Sequence, residues 1–589
     1  MQLTLIDWGV ILIYGVISLS LGLYFTKRAG LNLEEFFLSG RKLPWWLLGT
    51  SMVATTFSTD TPNLVTDMVR TGGVSQNWLW WAFLVTGMCT VFFYAKLWRR
   101  SGVLTDMGFY ELRYSGRPAR FLRCFRAIYL GVFFNVMIMA SVTLAMIKIA
   151  GVLMGLGKYP TVLICGTVTV IYSATAGLWG VVITDLLLFV VALAGSIAAA
   201  YYALQLPEVG GLSGLIGNPL VSDKLSLIPN LSDWTEISTI LIIPLAVQWW
   251  STWYPGAEPG GGGYIAQRML AARNESDAMR ATLWFNVAHY AIRPWPWIIV
   301  ALCSLIVYPD LNTIIARFPD LDRSLVKDDL AYPAMLVAMP HGLLGLVVAS
   351  LAAAYMSTIS THLNWGASYI VNDVYRRFVV PNRSTRHYVN VARLSTVLLI
   401  ILTTLMALWL ENALQAFQIL LQIGAGTGLI FLLRWFWWRI NAWSEITAMV
   451  VSFLVAIYFQ FLQNSHGMTS LHPSLMILVS VGITTAVWLI VTLVTPATDT
   501  VTLQNFYDRI RPLGPGWRAG VHIHPPDGRE SLSAAFLCWF LGCIVVYSAL
   551  FAIGFLLYGQ TIAASACFAF GGSAMVALFK LLPYTGFTR

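Results

Sequence analysis

The sequence predicts an all-α, polytopic membrane protein, and three observations carry that prediction. Of 589 residues, 58% are hydrophobic and 11% charged, against about 25% charged in soluble domains. Mean hydropathy is +0.71. Apolar runs of about 20 residues, the length that crosses a bilayer as a helix, recur from one end of the chain to the other. A soluble fold cannot hide that much apolar surface. The chain, 1–589, therefore reads as one transmembrane domain rather than the several soluble domains its length alone suggests.

In chain order, about fifteen candidate spans fall at 5–26, 43–68, 77–98, 127–155, 159–176, 180–205, 238–264, 281–308, 338–371, 388–410, 413–435, 444–464, 472–495, 534–558 and 561–583. Helices are expected throughout, because lipid satisfies no backbone polar group. The first run contains Asp7 and lacks a basic leader and a small-residue cleavage site, so it reads as a retained span. Basic residues cluster after the first span (Lys27, Arg28, Arg41, Lys42), the third (Lys96 through Arg126) and the ninth (Arg376, Arg377, Arg383, Arg386, Arg393). The positive-inside rule then puts the N-terminus outside and the C-terminus in the cytoplasm, in a multi-pass protein of the cell (inner) membrane. The net charge of +9 belongs to these loops, and no nucleic-acid partner is expected. The longest polar stretches, 206–237 and 309–335 outside and 496–532 inside, are too short for a further domain. The last of them reads as an interfacial segment. The seven cysteines form no C-x-x-C pair, so neither zinc nor a disulfide framework is indicated.

The informative spans are the ones that depart from plain hydrophobicity. The second runs Thr50-Ser51-Met52-Val53-Ala54-Thr55-Thr56-Phe57-Ser58-Thr59-Asp60-Thr61-Pro62. Proline removes a helical hydrogen bond, an intramembrane acid defaults to a functional hypothesis, and non-helical backbone at depth is tolerated only in protein or along a cavity. A break near Asp60–Pro62 follows. The seventh span carries Trp249, Trp253, Tyr254, Pro255, Glu258, Pro259 and then Gly260 through Gly263, which no simple helix survives. Two interrupted spans five helices apart point to an inverted-repeat transporter with its site between the breaks.

Three further spans hold polar groups. The ninth contains Ala354-Tyr355-Met356-Ser357-Thr358. Its adjacent hydroxyls suit either helix packing or the oxygen shell of a small hard cation. The eighth carries His289 and Arg293, one turn apart on one face, either facing the bundle interior or snorkelling to the headgroups. Asp185 lies near the inner end of its span, where it either couples to the site or caps and pairs locally. No zinc-protease, nucleophile-elbow or phosphate-loop pattern occurs, so no enzyme and no organic cofactor are expected.

At these residues the chain resembles the sodium:solute symporter family, which includes sodium–glucose, sodium–proline and sialic acid symporters. The resemblance rests on Phe36-Phe37-Leu38-Ser39-Gly40-Arg41, on Arg99 to Tyr114, on Gln267-Arg268-Met269-Leu270-Ala271-Ala272, and on Ala354 to Thr358 with Asn372-Asp373-Val374-Tyr375. It implies a LeuT-like core of two inverted five-helix repeats, 43–205 and 238–435, with one span before it (5–26) and about four after it (444–583). It implies a sodium site of Ala54, Phe57, Ala354, Ser357 and Thr358. It also implies a solute site drawn from Thr56, Asp60, Thr61, Trp80, Trp249, Trp253, Tyr254, Glu258, His289, Arg293, Phe417, Gln418 and Gln422. Members with a second sodium carry a hydroxyl at the Ala354 position and an acid at the Asp185 position. This chain keeps only the acid, so one sodium per cycle is expected. The expected partner is a small polar solute (sugar, polyol or small organic acid), moved inward by a protein functional as a monomer. Proton coupling and a membrane-embedded sensor are the alternatives.

Overall fold

The computed structural model describes residues 3–29, 38–103, 105–173, 178–251, 258–459, 472–523 and 530–587. Among these residues the regular structure is helical, with a single isolated bridge between Leu43 and Ala272. α1 spans Leu5–Ala29. The second expected span is two helices, α2 (Trp45–Thr55) and α3 (Asp60–Gly72). α4 (Val74–Ser101) and α5 (Gly116–Met154) follow, then α6 (Lys158–Ser173) and α7 (Leu178–Leu204). The second interrupted span is α8 (Trp234–Ala246) and α9 (Gly263–Ala271). α10 (Glu275–Val307), α11 (Leu343–Val379), α12 (Thr385–Trp409) and α13 (Ala413–Ala425) complete the central bundle. Around it lie α14 (Ala442–Ile457), α15 (Pro473–Val494), a short α16 (Thr500–Ile510), α17 (Leu532–Leu557) and α18 (Thr561–Leu581).

The first break falls earlier than the proline suggests. Pro62 is the third residue of α3, within the first turn, where its missing N–H removes no intrahelical bond. The ladder fails instead at Thr56–Thr59. Thr55 Oγ1 donates back to Ser51 O (2.8 Å) and Thr56 Oγ1 to Val53 O (2.7 Å), the side-chain competition that ends helices. At the second break, Gly260, Gly261 and Gly263 all have positive φ (80°, 86° and 50°), a region L-residues rarely adopt.

α10 contains a π turn at Ala288–Ile292, and such turns concentrate at functional sites. Arg293 N donates five residues back to Ala288 O (3.1 Å). Pro294 opens the next helical segment, so the wide turn absorbs the donor that proline lacks.

The broken helix sits centrally. α2 packs on α7 and the first half of α10, and α3 packs on the second half of α10, on α5 and on α13. At Gly49 a Cβ would lie 2.6 Å from Ala281 O, so α2 and α10 touch through backbone. α1 is pinned to the start of α11, where Asp7 Oδ1 accepts from Gly342 N (2.6 Å) and Gly345 N (2.9 Å). The interfacial reading of 496–532 needs correcting. α16 buries Leu503, Phe506, Tyr507 and Ile510, with Phe506 stacked on Trp517 at 5.4 Å and edge-on to Phe109 at 5.9 Å. Its apolar face is taken up by protein, because the aromatic rings after α4 offer a better-packed surface than a headgroup layer.

Glu530, just before α17, ties the C-terminal helices to the bundle. It accepts from Lys96 Nζ (2.8 Å) and Arg100 Nη2 (2.9 Å). Burial opposes ionisation of this carboxyl, but Lys96 and then Arg100 overcome it and hold Glu530 below the usual carboxylate range. A depressed carboxyl contributes stability that is present above its unfolded value and lost as pH falls through the folded one. Glu530→Gln should lower the unfolding temperature in detergent, because removing one partner of a buried pair costs about 3–5 kcal/mol. It should also flatten the loss of stability on acidification below about pH 4.5. Thermal unfolding monitored by tryptophan fluorescence across pH checks both.

Candidate functional site

Thr56 is the hub of the first break. Its Oγ1 donates to Val53 O, accepts from Arg293 Nη1 at 2.9 Å, and lies 3.1 Å from His289 Nδ1. Arg293 Nη2 also lies 3.4 Å from His289 Nε2. The expected one-face spacing of His289 and Arg293 is therefore realised through the π turn, and Arg293 faces inward, 1% exposed. Its guanidinium sits 5.7 Å from the Phe57 ring and 5.0 Å from the Trp297 ring. A cation over aromatic faces in a desolvated site gains about 2 kcal/mol, which helps hold Arg293 without a direct ion pair. Asp60 lies within its electrostatic reach and accepts from Ser141 Oγ at 3.0 Å. Thr61 Oγ1 donates to Thr56 O at 3.3 Å. Trp80 closes one side, edge-on to His289 and stacked on Tyr290, each at 5.7 Å.

A second polar cluster lies on the α2 side of the break. Asp185 on α7 accepts from Ser51 Oγ at 2.6 Å and from Ser357 Oγ at 3.1 Å. It thereby ties α2, α7 and α11 together. Arg268 Nη2 is 3.8 Å from the same carboxylate. Ala54 and Ala354 are buried, and Ala54 O accepts from Phe57 N at 2.9 Å. Thr358 Oγ1 is buried and has no hydrogen-bond partner among the described residues. A buried, unpartnered hydroxyl of this kind is an oxygen donor of the type a small hard cation takes.

A cavity of about 320 Å³ lies between the 233–240 segment, α13 and the start of α15; of the expected solute residues, Gln418 and Gln422 line it, and Thr56, Asp60, Thr61, Trp80, His289 and Arg293 do not. Gln76, Glu236, Gln248, Gln418, Gln422 and His472 are among its walls. Gln248 is fully buried, and its Nε2 donates to Leu79 O at 2.5 Å. Phe417 is buried on α13 one residue before Gln418.

Two expected solute residues are engaged elsewhere. Glu258 binds Arg126 (2.6 Å) and Arg434 (3.1 Å), all three buried. Arg434 also reaches Glu445 (3.2 Å) and Tyr110 Oη (3.0 Å). Asp106 joins this side of the molecule by accepting from Gly263 N (3.0 Å) and Tyr369 Oη (2.5 Å). Burial of a carboxylate demands fixed partners, and two arginines satisfy Glu258 before any solute does. Trp249 meets Trp250 at 5.2 Å and Trp539 of α17 at 6.1 Å. Trp253 and Tyr254 lie outside the described residues.

Ser141, Tyr290, Ser51 and Arg268 were not read from the sequence as site residues. Ser141 and Ser51 are single hydroxyls in spans that also contain other small polar residues, and no spacing singles them out. Arg126 was counted as a loop charge marking the cytoplasmic side, but it is fully buried and paired.

The model of the sodium:solute symporter family matches residues 36–452. Among curated relatives, the sodium/glucose cotransporter of Vibrio parahaemolyticus is 25% identical over 479 residues, covering 79% of this chain and 86% of that protein. The sodium/sialic acid symporter SiaT of Proteus mirabilis is 25% identical over 470 residues, covering 77% and 89%. Among solved structures, a substrate-bound, outward-open sodium-coupled sialic acid symporter superposes with a TM-score of 0.65 at 20% identity, over 84% of this chain and 99% of that one. That likeness carries the fold: an all-α core with two broken helices.

Thr56→Val keeps the shape of the hub and removes its hydroxyl. Arg293 Nη1 then loses an acceptor in a buried site, which costs about 1–3 kcal/mol. Solute uptake should fall about tenfold or more, with folding monitored by size-exclusion profile unchanged.

Proposed function

As this chain belongs to the sodium:solute symporter family, a group of multi-pass sodium-coupled transporters and not enzymes, we propose that it imports a small, neutral, hydroxyl-rich solute with one sodium ion per cycle. The observations that support the ion assignment are the Ser51–Asp185–Ser357 cluster that joins α2, α7 and α11 on the α2 side of the break, and the buried, unpartnered hydroxyl of Thr358 next to Ser357 on α11. In this reading sodium takes the carbonyls of Ala54, Phe57 and Ala354 and the hydroxyls of Ser357 and Thr358, and so holds α2 against α11. Ala354 offers no hydroxyl for a second ion, and Arg268 already stands beside Asp185 as its countercharge. Both features support a stoichiometry of one.

The solute site we assign to Thr56, Asp60, Thr61, Trp80, His289, Arg293, Phe417, Gln418 and Gln422. Trp253 and Tyr254, in the second interruption, are assigned to its stacking surface from their place in the sequence. Glu258 and Trp249 are reassigned to closure of the bundle. Both terminal nitrogens of Arg293 are engaged by Thr56 and His289. A carboxylate solute would have to displace those bonds, whereas a hydroxyl can join them. This favours a sugar or polyol over an organic acid, in keeping with the glucose named for one relative; the sialic acid named for another carries a carboxylate and stands against it.

Transport follows by alternating access in the cell membrane, with the N-terminus outside as the basic loops suggest. Sodium binding preorganises Thr56 and Asp60 at the adjoining end of the break. The solute enters by the 320 Å³ cavity. The Glu258–Arg126–Arg434 cluster keeps the opposite side shut until both ligands are bound. Each ligand must raise the other's affinity by the same factor. At −100 mV, one inward charge adds about 2.3 kcal/mol, enough for a solute gradient of about fifty-fold.

Uptake into proteoliposomes, screened across sugars, polyols, carboxylates and amino acids with sodium replaced by potassium, is the direct test. Sodium-dependent uptake of a neutral hydroxylated solute is expected. Uptake indifferent to sodium, or driven by a proton gradient, would sink the coupling assignment. Ser357→Ala combined with Thr358→Ala should raise the half-saturating sodium concentration about tenfold or more. Unchanged activation would remove these hydroxyls from the ion site.

A further inference from the structure

A second polar feature lies on the same broken helix, along α3 beyond the break. Asn63, Thr66 and Asp67 follow i, i+3, i+4 spacing on α3, which places their side chains on one face. They are 0%, 0% and 3% exposed. Asn63 Nδ2 and Oδ1, Thr66 Oγ1 and Asp67 Oδ2 have no hydrogen-bond partner among the described residues. Buried polar side chains nearly always find one, and four such atoms on one helical face are a concentration that packing alone does not explain.

The cations near them are already committed to other carboxylates. Asp329, Asp328, Lys148 and Arg70 are charged groups near Asp67. Arg70 is paired with Asp328 at 2.8 Å and also donates to Ser304. Lys148, fully buried, is paired with Asp329 at 2.5 Å. Both of these cations are thus paired to other carboxylates, and Asp67 makes no ion pair. A buried carboxylate without a countercharge is strongly unfavourable and either takes a cation or gives up its charge.

We propose that Asn63, Thr66 and Asp67 form a monovalent-cation site, distinct from the sodium site at the break. Seven residues of helix place Asp67 about 10 Å beyond Asp60 along α3. The ligands are one carboxylate oxygen, one hydroxyl and one amide carbonyl, the hard oxygen donors that suit an alkali ion. One unpaired negative charge matches one positive charge. No group of three His, Cys, Asp or Glu side chains is placed to hold a metal among the described residues, which argues against a multivalent ion. All three ligands belong to one rigid helix, so the ion is a resident of α3 and separate from the ion carried through the break. It gives Asp67 a countercharge where α3 packs against α10, α5 and α13.

The test uses the full-length protein in detergent, exchanged into choline chloride and titrated with sodium or potassium chloride while the unfolding temperature is read. Ser357→Ala with Thr358→Ala serves as background, to remove the response of the break site. A saturable rise in unfolding temperature should survive in that background. It should disappear when Asp67→Asn is added. Thr66→Val, which conserves shape and decides the matter if Asp67→Asn fails to fold, should weaken the half-saturating concentration about tenfold, or 1.4 kcal/mol. A background variant that responds to neither ion, or a residual response that Thr66→Val and Asp67→Asn leave unchanged, overturns the site. So does a residual stabilisation that follows lowered pH instead of alkali ion, since Asp67 would then be neutralised by a proton.

Discussion

A helix that stops in the middle of a bilayer leaves backbone donors and acceptors where lipid can satisfy none of them. The rest of this structure can be understood as the response to that constraint at Thr56–Thr59. Thr55 and Thr56 end α2 by turning their hydroxyls back on the chain. The same Thr56 hydroxyl then organises Arg293 and His289. The carbonyl and hydroxyl oxygens released around the break are what make a cation site possible there. α5, α7, α10, α11 and α13 all pack on one or other half of the broken helix.

Charge is handled in two contrasting ways around this centre. On the side of Glu258, acids and arginines are paired within a dense cluster, with Arg126, Arg434 and Glu445 all buried. Such pairs are costly to bury and costlier to break singly, a property suited to a gate that holds until a rearrangement releases it as a unit. Around Arg293 the reverse holds. Arg293 is held by a hydroxyl, an imidazole and aromatic faces, none of which neutralises it fully. Asp60 is bound by Ser141 and keeps capacity for a further donor. Incompletely matched polar groups are what a ligand can complete.

Much of the architecture was legible because membrane folds obey few rules. The length of apolar runs located the helices, and glycine and proline flagged both interruptions. The first break lies several residues before Pro62, since proline in a first helical turn breaks nothing and the threonine hydroxyls do. The reading of Arg126 as a loop marker failed for a related reason: hydropathy and charge counts register where a residue sits in the chain, not what it faces. Glu258 was legible as an intramembrane acid, but its two arginine partners lie 132 and 176 residues away.

By itself the sequence determined the class of protein, the helical content, the two breaks and the oxygen-rich character of the segments around them. These depend on local composition and spacing, which lipid imposes directly. Only the tertiary structure decided which polar groups meet. It gave Asp185 to Ser51, Ser357 and Arg268, turned Arg293 onto Thr56 through a π turn, paired Glu258 with Arg126 and Arg434, and left Asp67 without an ion pair. Pairing across a helical bundle is set by packing between segments far apart in the chain, and no local pattern encodes it.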